Sequence, residues 1–123
     1  MNHPPHPLYD APDFESFWRA YVMAHRDPAT QRAHALATTL MLACVARGVR
    51  TRRLRWFALA PLVDYAIAQG SHRVVEGNRT QPWRDTPRHL RAELRMWRYS
   101  LTGRMAREVE RVEAELRDRD APR

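Results

Sequence analysis

Three of the six histidines stand at the polar edges of apolar segments. His25 closes "FWRAYVMAH", His34 lies nine residues later just before "ALATTLMLACVA", and His72 follows "LRWFALAPLVDYAIAQGS". Glu76 comes four residues after His72, which puts both side chains on one face if a helix continues there. Two or three imidazoles with one carboxylate suit Fe, Zn or Mn, and open positions beside such a set suit non-heme iron oxygen chemistry. The plainer reading is that each histidine ends a helix or sits on a surface. Spacing alone leaves both readings open.

Other chemistries lack their residues. There is no HExxH, no CxxC pair, no P-loop, no G-x-S-x-G and no Gly-rich dinucleotide fingerprint. The single cysteine, Cys44, cannot form an internal disulfide, and its setting in "LMLACVA" reads as a buried structural thiol. His3 and His6 lie between prolines in a segment, residues 1–11, that reads as a flexible Pro-rich arm.

The elements that must carry the histidines are helical. Phe14, Phe17, Trp18, Tyr21 and Val22 recur at threes and fours and predict a helix from about Pro12 to Ala24. Asp27-Pro28 is a restart signal, an N-cap followed by proline at the first helical position. The second helix is expected from Pro28 to about Arg47, with Gly48 ending it. Its second half is apolar almost all round and must be buried in protein or in lipid. A third helix is expected from near Thr51, kinked at Pro61, with Asp64 needing a partner or a cavity. The two apolar segments form an antiparallel hairpin. Such a hairpin returns the third helix past the start of the second, which can bring His72 to His34 with His25 on the incoming turn. A last helix after Pro87 carries Leu90, Leu94, Trp97, Leu101 and Met105, with Gly103 a place where it can break. Residues 106–123 read as a charged, solvated helical tail. No strand-period alternation occurs, so the expected fold is all-α: a compact single domain over residues 12–105 around a central apolar hairpin.

The 123 residues suffice for one core without a metal or disulfide staple. The net charge is +7, and all 21 basic residues are Arg. That charge favours anionic partners such as phospholipid headgroups, nucleic acid or a carboxylate substrate. The basic turn "RGVRTRR" between the apolar helices suits an anionic membrane surface, although neither segment reaches the roughly 20 clean apolar residues of a spanning helix. "RHLRAELRMWRYSLTGRMAR" has the Arg and aromatic content of a nucleic-acid binder, but its aromatics share the leucine stripe, and core packing accounts for them better. The N-terminus has neither region of a signal peptide.

"FWRAYVMAHRDPATQRAH", an apolar hairpin, "YAIAQGSHRVVEGNR" and "LRMWRYSLTGRM" together resemble a family of small membrane proteins, many of unknown function. The family includes the fungal endoplasmic-reticulum 2-hydroxy fatty acid dioxygenase of alpha-oxidation, and the chain is similar to its short bacterial members. Tyr21, His25, Pro28 and His34 match the first block, and Tyr65, His72, Glu76, Asn78 and Arg79 the second. In the third block Glu93 stands where the family prefers Asp. The resemblance implies an iron(II)-dependent dioxygenase that shortens a 2-hydroxy fatty acid by one carbon, associated with the bacterial cytoplasmic membrane. It makes His25, His34 and His72 candidate iron ligands and Glu76 a fourth ligand or an orienting partner. Arg79, with Asn78, is our candidate for binding the substrate carboxylate. Two other functions compete: a non-enzymatic membrane-associated protein with a structural His/Glu/Arg network, and a nucleic-acid-binding module. A soluble cytoplasmic form is the alternative localisation.

Overall fold

The computed structural model describes residues 7–78 and 80–122. Among these, every regular element is helical. After a 3-10 turn, Pro7–Asp10, come α1 (Phe14–Ala24), α2 (Pro28–Thr51) and α3 (Leu54–Ser71). A π turn, His72–Glu76, and a 3-10 turn, Pro82–Arg84, lead to α4 (Thr86–Leu101) and α5 (Met105–Asp120).

Local chemistry sets most boundaries. Asp13 accepts from the Ser16 N–H at 2.7 Å and opens α1. Asp27 accepts from the Ala29 N–H at 2.8 Å, with Pro28 in the first turn of α2. Gly103, at φ 71°, breaks the last helical stretch into α4 and α5. Gly48 behaves otherwise than expected. It lies inside α2, which continues to Thr51 and ends at Arg52 in a left-handed conformation. The missing side chain at Gly48 serves packing: a Cβ there would come within 2.8 Å of the Phe57 ring of α3.

The core forms on α1. Phe17, Trp18, Tyr21 and Val22 pack with Leu8, Ala92, Met96, Met105 and Val112. Two segments expected to be solvated are docked here. Leu8, placed in the arm by sequence, is fully buried, and the Tyr9 hydroxyl accepts from the Gln81 N–H. Residues 1–6 of that arm, with His3 and His6, lie outside the described residues. The charged helix α5 is also packed on one side. Val112 is fully buried, and Trp18 Nε1 donates to Glu108 at 2.8 Å. Its thin apolar stripe is enough because α1 offers a large aromatic surface.

Arginines complete that surface. Arg88, Arg91 and Arg95 of α4 recur at threes and fours. They lie over Phe17 at 5.2 Å, Phe14 at 3.8 Å and Trp18 at 4.5 Å from the ring centroids. Each flat guanidinium covers a π face while keeping an edge in water.

The α2–α3 hairpin has two unlike halves. Near its open end, Ala37, Thr38, Ala68 and Gln69 are buried. Toward the turn only Gly48 and Ala60 are buried, while Leu40, Val45 and Val49 of α2 and Leu54, Phe57, Leu59 and Leu62 of α3 are exposed. No described helix is long and apolar enough to cross a membrane.

The packing of α5 has a direct check. Val112→Asp puts a charge into the core and should lower unfolding stability by about 2 kcal/mol or more in urea denaturation. A merely solvated tail would move by less than about 0.5 kcal/mol.

Candidate metal centre

Three elements each deliver one imidazole. His25 follows the last turn of α1, where the Gln31 side chain donates to its carbonyl at 2.9 Å. Its Nδ1 lies 2.6 Å from the Tyr21 carbonyl. A carbonyl only accepts, so Nδ1 carries the proton and Nε2 keeps a lone pair. That Nε2 is buried with no protein partner. His34 sits on the second turn of α2, 4% exposed, and both its ring nitrogens are buried without partners.

His72 opens the π turn. The sequence expected Glu76 to share a helical face with it. Instead the backbone closes i to i+5, with the Gly77 N–H on the His72 carbonyl and Gly77 at φ 66°. The Asn78 N–H also donates to that carbonyl, at 3.0 Å. This winding brings Asn78 back onto His72, whose Nδ1 lies 2.8 Å from Asn78 Oδ1. Asn78 Nδ2 donates to the Ala24 carbonyl at 3.3 Å, which fixes the amide and so makes His72 Nδ1 the donor. Asn78 thus ties the third imidazole to the end of α1. Glu76 turns to the same place, accepting from the Asp27 N–H at 2.8 Å, and is outside the histidine group. Arg79 lies outside the described residues.

The three rings converge. Their centroids are 4.4, 4.4 and 5.0 Å apart, and one ligand nitrogen from each lies within 4.8 Å of the others. This group can hold a metal ion. The donor set fits one: three buried imidazoles, with lone pairs on His25 and His34 that no protein donor satisfies. Burial holds His25 well below the usual histidine range, helped by the neighbouring His34 and His72 rings, while its bond to Tyr21 opposes the shift. Burial, then His72 and His89, push His34 down to about 3. Both are therefore neutral at pH 7, the form that ligates a metal.

The rings border a cavity of about 390 Å3 between α2, α3 and α4. Such a volume suits a small-molecule ligand. Its wall is mainly apolar, with Met41, Tyr65, Trp83 and Leu90, but it also carries Asp64 and Glu93. Burial first, and Asp64 next, push Glu93 up to about 9, against an opposing hydrogen bond from Thr38 at 3.1 Å. Glu93 therefore holds a proton at neutral pH, with Asp64 beside it as one cause. Asp64 announced itself in the sequence as an ionisable residue in an apolar helix. Asn78 stood out in the sequence as a contact for the substrate carboxylate, and Tyr21 and Glu93 only as matches to the family blocks; the places of these residues beside the histidines and the cavity come from distant partners.

These groups oppose one another in pH. His25 and His34 stay neutral when folded but charge near 6.5 when unfolded, so their contribution is lost as pH falls below about 6.5. Glu93 stays protonated when folded but ionises near 4.5 when unfolded, so its contribution is lost as pH rises from 4.5 through about 9. Two histidines outweigh one carboxyl between pH 4.5 and 6.5, so stability of the metal-free chain should rise to a maximum near pH 6.5 and decline toward pH 9. Denaturation midpoints measured across pH should show Glu93→Gln flattening the alkaline decline while leaving the acid limb in place.

A sequence model of the family described as "2-hydroxy-palmitic acid dioxygenase Mpo1-like" matches residues 11–105, which hold α1 to α4 and all three converging histidines. No curated protein matches the chain, and no solved structure does. With its histidine cluster and the greater part of its length inside that match, the chain belongs to the Mpo1-like family.

Proposed function

We propose that the chain is a membrane-associated, iron(II)-dependent dioxygenase acting on 2-hydroxy fatty acids or similar lipids. One observation carries this: three buried imidazoles, those of His25 and His34 held neutral, converge at the edge of an apolar cavity in a chain of this family. Iron(II) bound by His25, His34 and His72 would supply a site for dioxygen and for the hydroxy-acid end of the substrate. The net reaction balances without an external reductant. A 2-hydroxy acid and dioxygen give the acid one carbon shorter, carbon dioxide and water.

The chain's own groups divide the remaining work. Tyr21 and Asn78 set the tautomers of His25 and His72, so that both present Nε2. Glu76 holds the α1–α2 turn against the π turn. Arg79 enters the proposal as the contact for the substrate carboxylate on its place in the sequence alone. Met41, Pro61 and Leu90 give an acyl chain an apolar wall.

Membrane association rests on the exposed half of the hairpin. A bare apolar surface of this kind is costly in water. Arg50, Arg52, Arg53 and Arg55 crowd its turn, and Arg47 lies 5.0 Å from the Trp56 ring. Guanidinium and indole together suit the headgroup layer of an anionic bilayer.

Metal analysis of protein purified in mild detergent should find about one iron per chain. His72→Ala should lose both iron and turnover of 2-hydroxyhexadecanoate. Asn78→Ala should weaken metal affinity about 10- to 100-fold, because His72 loses its orienting partner. Iron-free wild type, or full activity in His72→Ala, would sink the reading and favour a purely structural histidine network. In flotation assays the chain should bind anionic vesicles more strongly than neutral ones, and Leu54→Glu with Leu62→Glu should abolish binding. Equal flotation of that double variant would refute a role for the hairpin.

A further inference from the structure

The cavity contains polar groups that metal binding leaves unused. Tyr21 lines it and is 2% exposed, and no hydrogen bond among the described residues engages its hydroxyl. Asp64 and Glu93 line it from α3 and α4. Asp64 lines the cavity, and its Oδ1 is buried with no hydrogen-bond partner. Thr38 holds Glu93 from α2 at 3.1 Å. These groups lie close to the imidazoles. The Tyr21 ring stacks on His25 at 4.0 Å, and Thr38 is one turn, roughly 6 Å, along α2 from His34.

We propose that Tyr21, Asp64 and Glu93 form a hydroxyl-reading station that makes the site select 2-hydroxy acids over unsubstituted acids. It rests on the reading of the histidine cluster as the anchor for the acid end of the substrate. With the carboxylate held there, the second carbon lies beside Tyr21. A hydroxyl on that carbon both accepts and donates. It accepts from the Tyr21 O–H and donates to Asp64, while the protonated Glu93 keeps Asp64 in place. A methylene does neither and leaves buried polar groups unpaired. A keto oxygen accepts but cannot donate, so a 2-oxo acid is disfavoured as well. Discrimination of this kind, by groups stranded when the wrong ligand binds, exceeds what an apolar pocket of the same shape can achieve.

Binding is tested with the full chain in detergent loaded with zinc, so that no turnover intervenes. The probes are 2-hydroxyhexadecanoate and hexadecanoate, followed by calorimetry. The wild type should prefer the hydroxy acid by roughly tenfold or more. Tyr21→Phe and Asp64→Ala should bring the two affinities within about twofold. Glu93→Gln should keep the preference, since its amide donates to Asp64 as the protonated acid does. Equal affinities in the wild type overturn the proposal, as does a preference that survives in both Tyr21→Phe and Asp64→Ala. Failure of the metal reading shows separately, as wild-type protein that takes up no stoichiometric zinc.

Discussion

His25 and His34 share one buried site with His72 because burial keeps the two of them neutral. Among the described residues no carboxylate joins His25, His34 and His72 to offset a charge. Each ring must instead be placed by neutral hydrogen bonds and packing. The architecture around the site follows from that demand. Gln31 grips the His25 carbonyl, Asn78 bridges His72 to Ala24, and Glu76 caps the Asp27 N–H. The Asn78 and Glu76 bonds join the α1–α2 turn to the segment after α3, and the Gln31 bond ties that turn to α2. They close the open end of the hairpin and hold the rings within contact distance.

The site thereby divides the hairpin. Its open end is tied down by the side chains of Glu76, Asn78, Thr80 and Glu93 and holds the polar chemistry. Its turn end packs on itself, through Gly48 and Phe57. Helix α4 couples the two environments. One face sends arginines over the aromatic rings of α1, while Glu93 reaches into the cavity to Thr38 and Asp64. A single amphipathic helix thus seals the core and supplies the second polar cluster of the cavity.

Helix types and starts were legible because their causes are local. The stripe of α1, the Asp27-Pro28 restart and the Gly103 break each act within a few residues. The meeting of the histidines was also within reach, since a hairpin must bring its end back to its beginning. The errors share one cause. Local sequence predicts a stop at Gly48, an arm over residues 1–11 and a solvated tail over 106–123, whereas Gly48 lies inside α2 and Leu8 and Val112 are buried. In each case a distant partner, Phe57, Met96 or Trp18, outweighed a weak local preference. Glu76 escaped for a related reason: the π turn changes the periodicity on which the i, i+4 reading depends.

Sequence alone determined that the chain is all-helical, that an apolar hairpin lies between its polar ends, and which histidines border it. Hydrophobic period and capping chemistry are written in consecutive residues, so they survive without coordinates. Tertiary structure decided which nitrogen each placed ring presents, that Asn78 rather than Glu76 orients His72, and that Asp64 finds Glu93 across the cavity. Those outcomes depend on contacts between residues tens of positions apart, where no local pattern constrains distance or angle. Burial then does the rest, because only the packed interior makes His25 and His34 neutral and keeps a proton on Glu93.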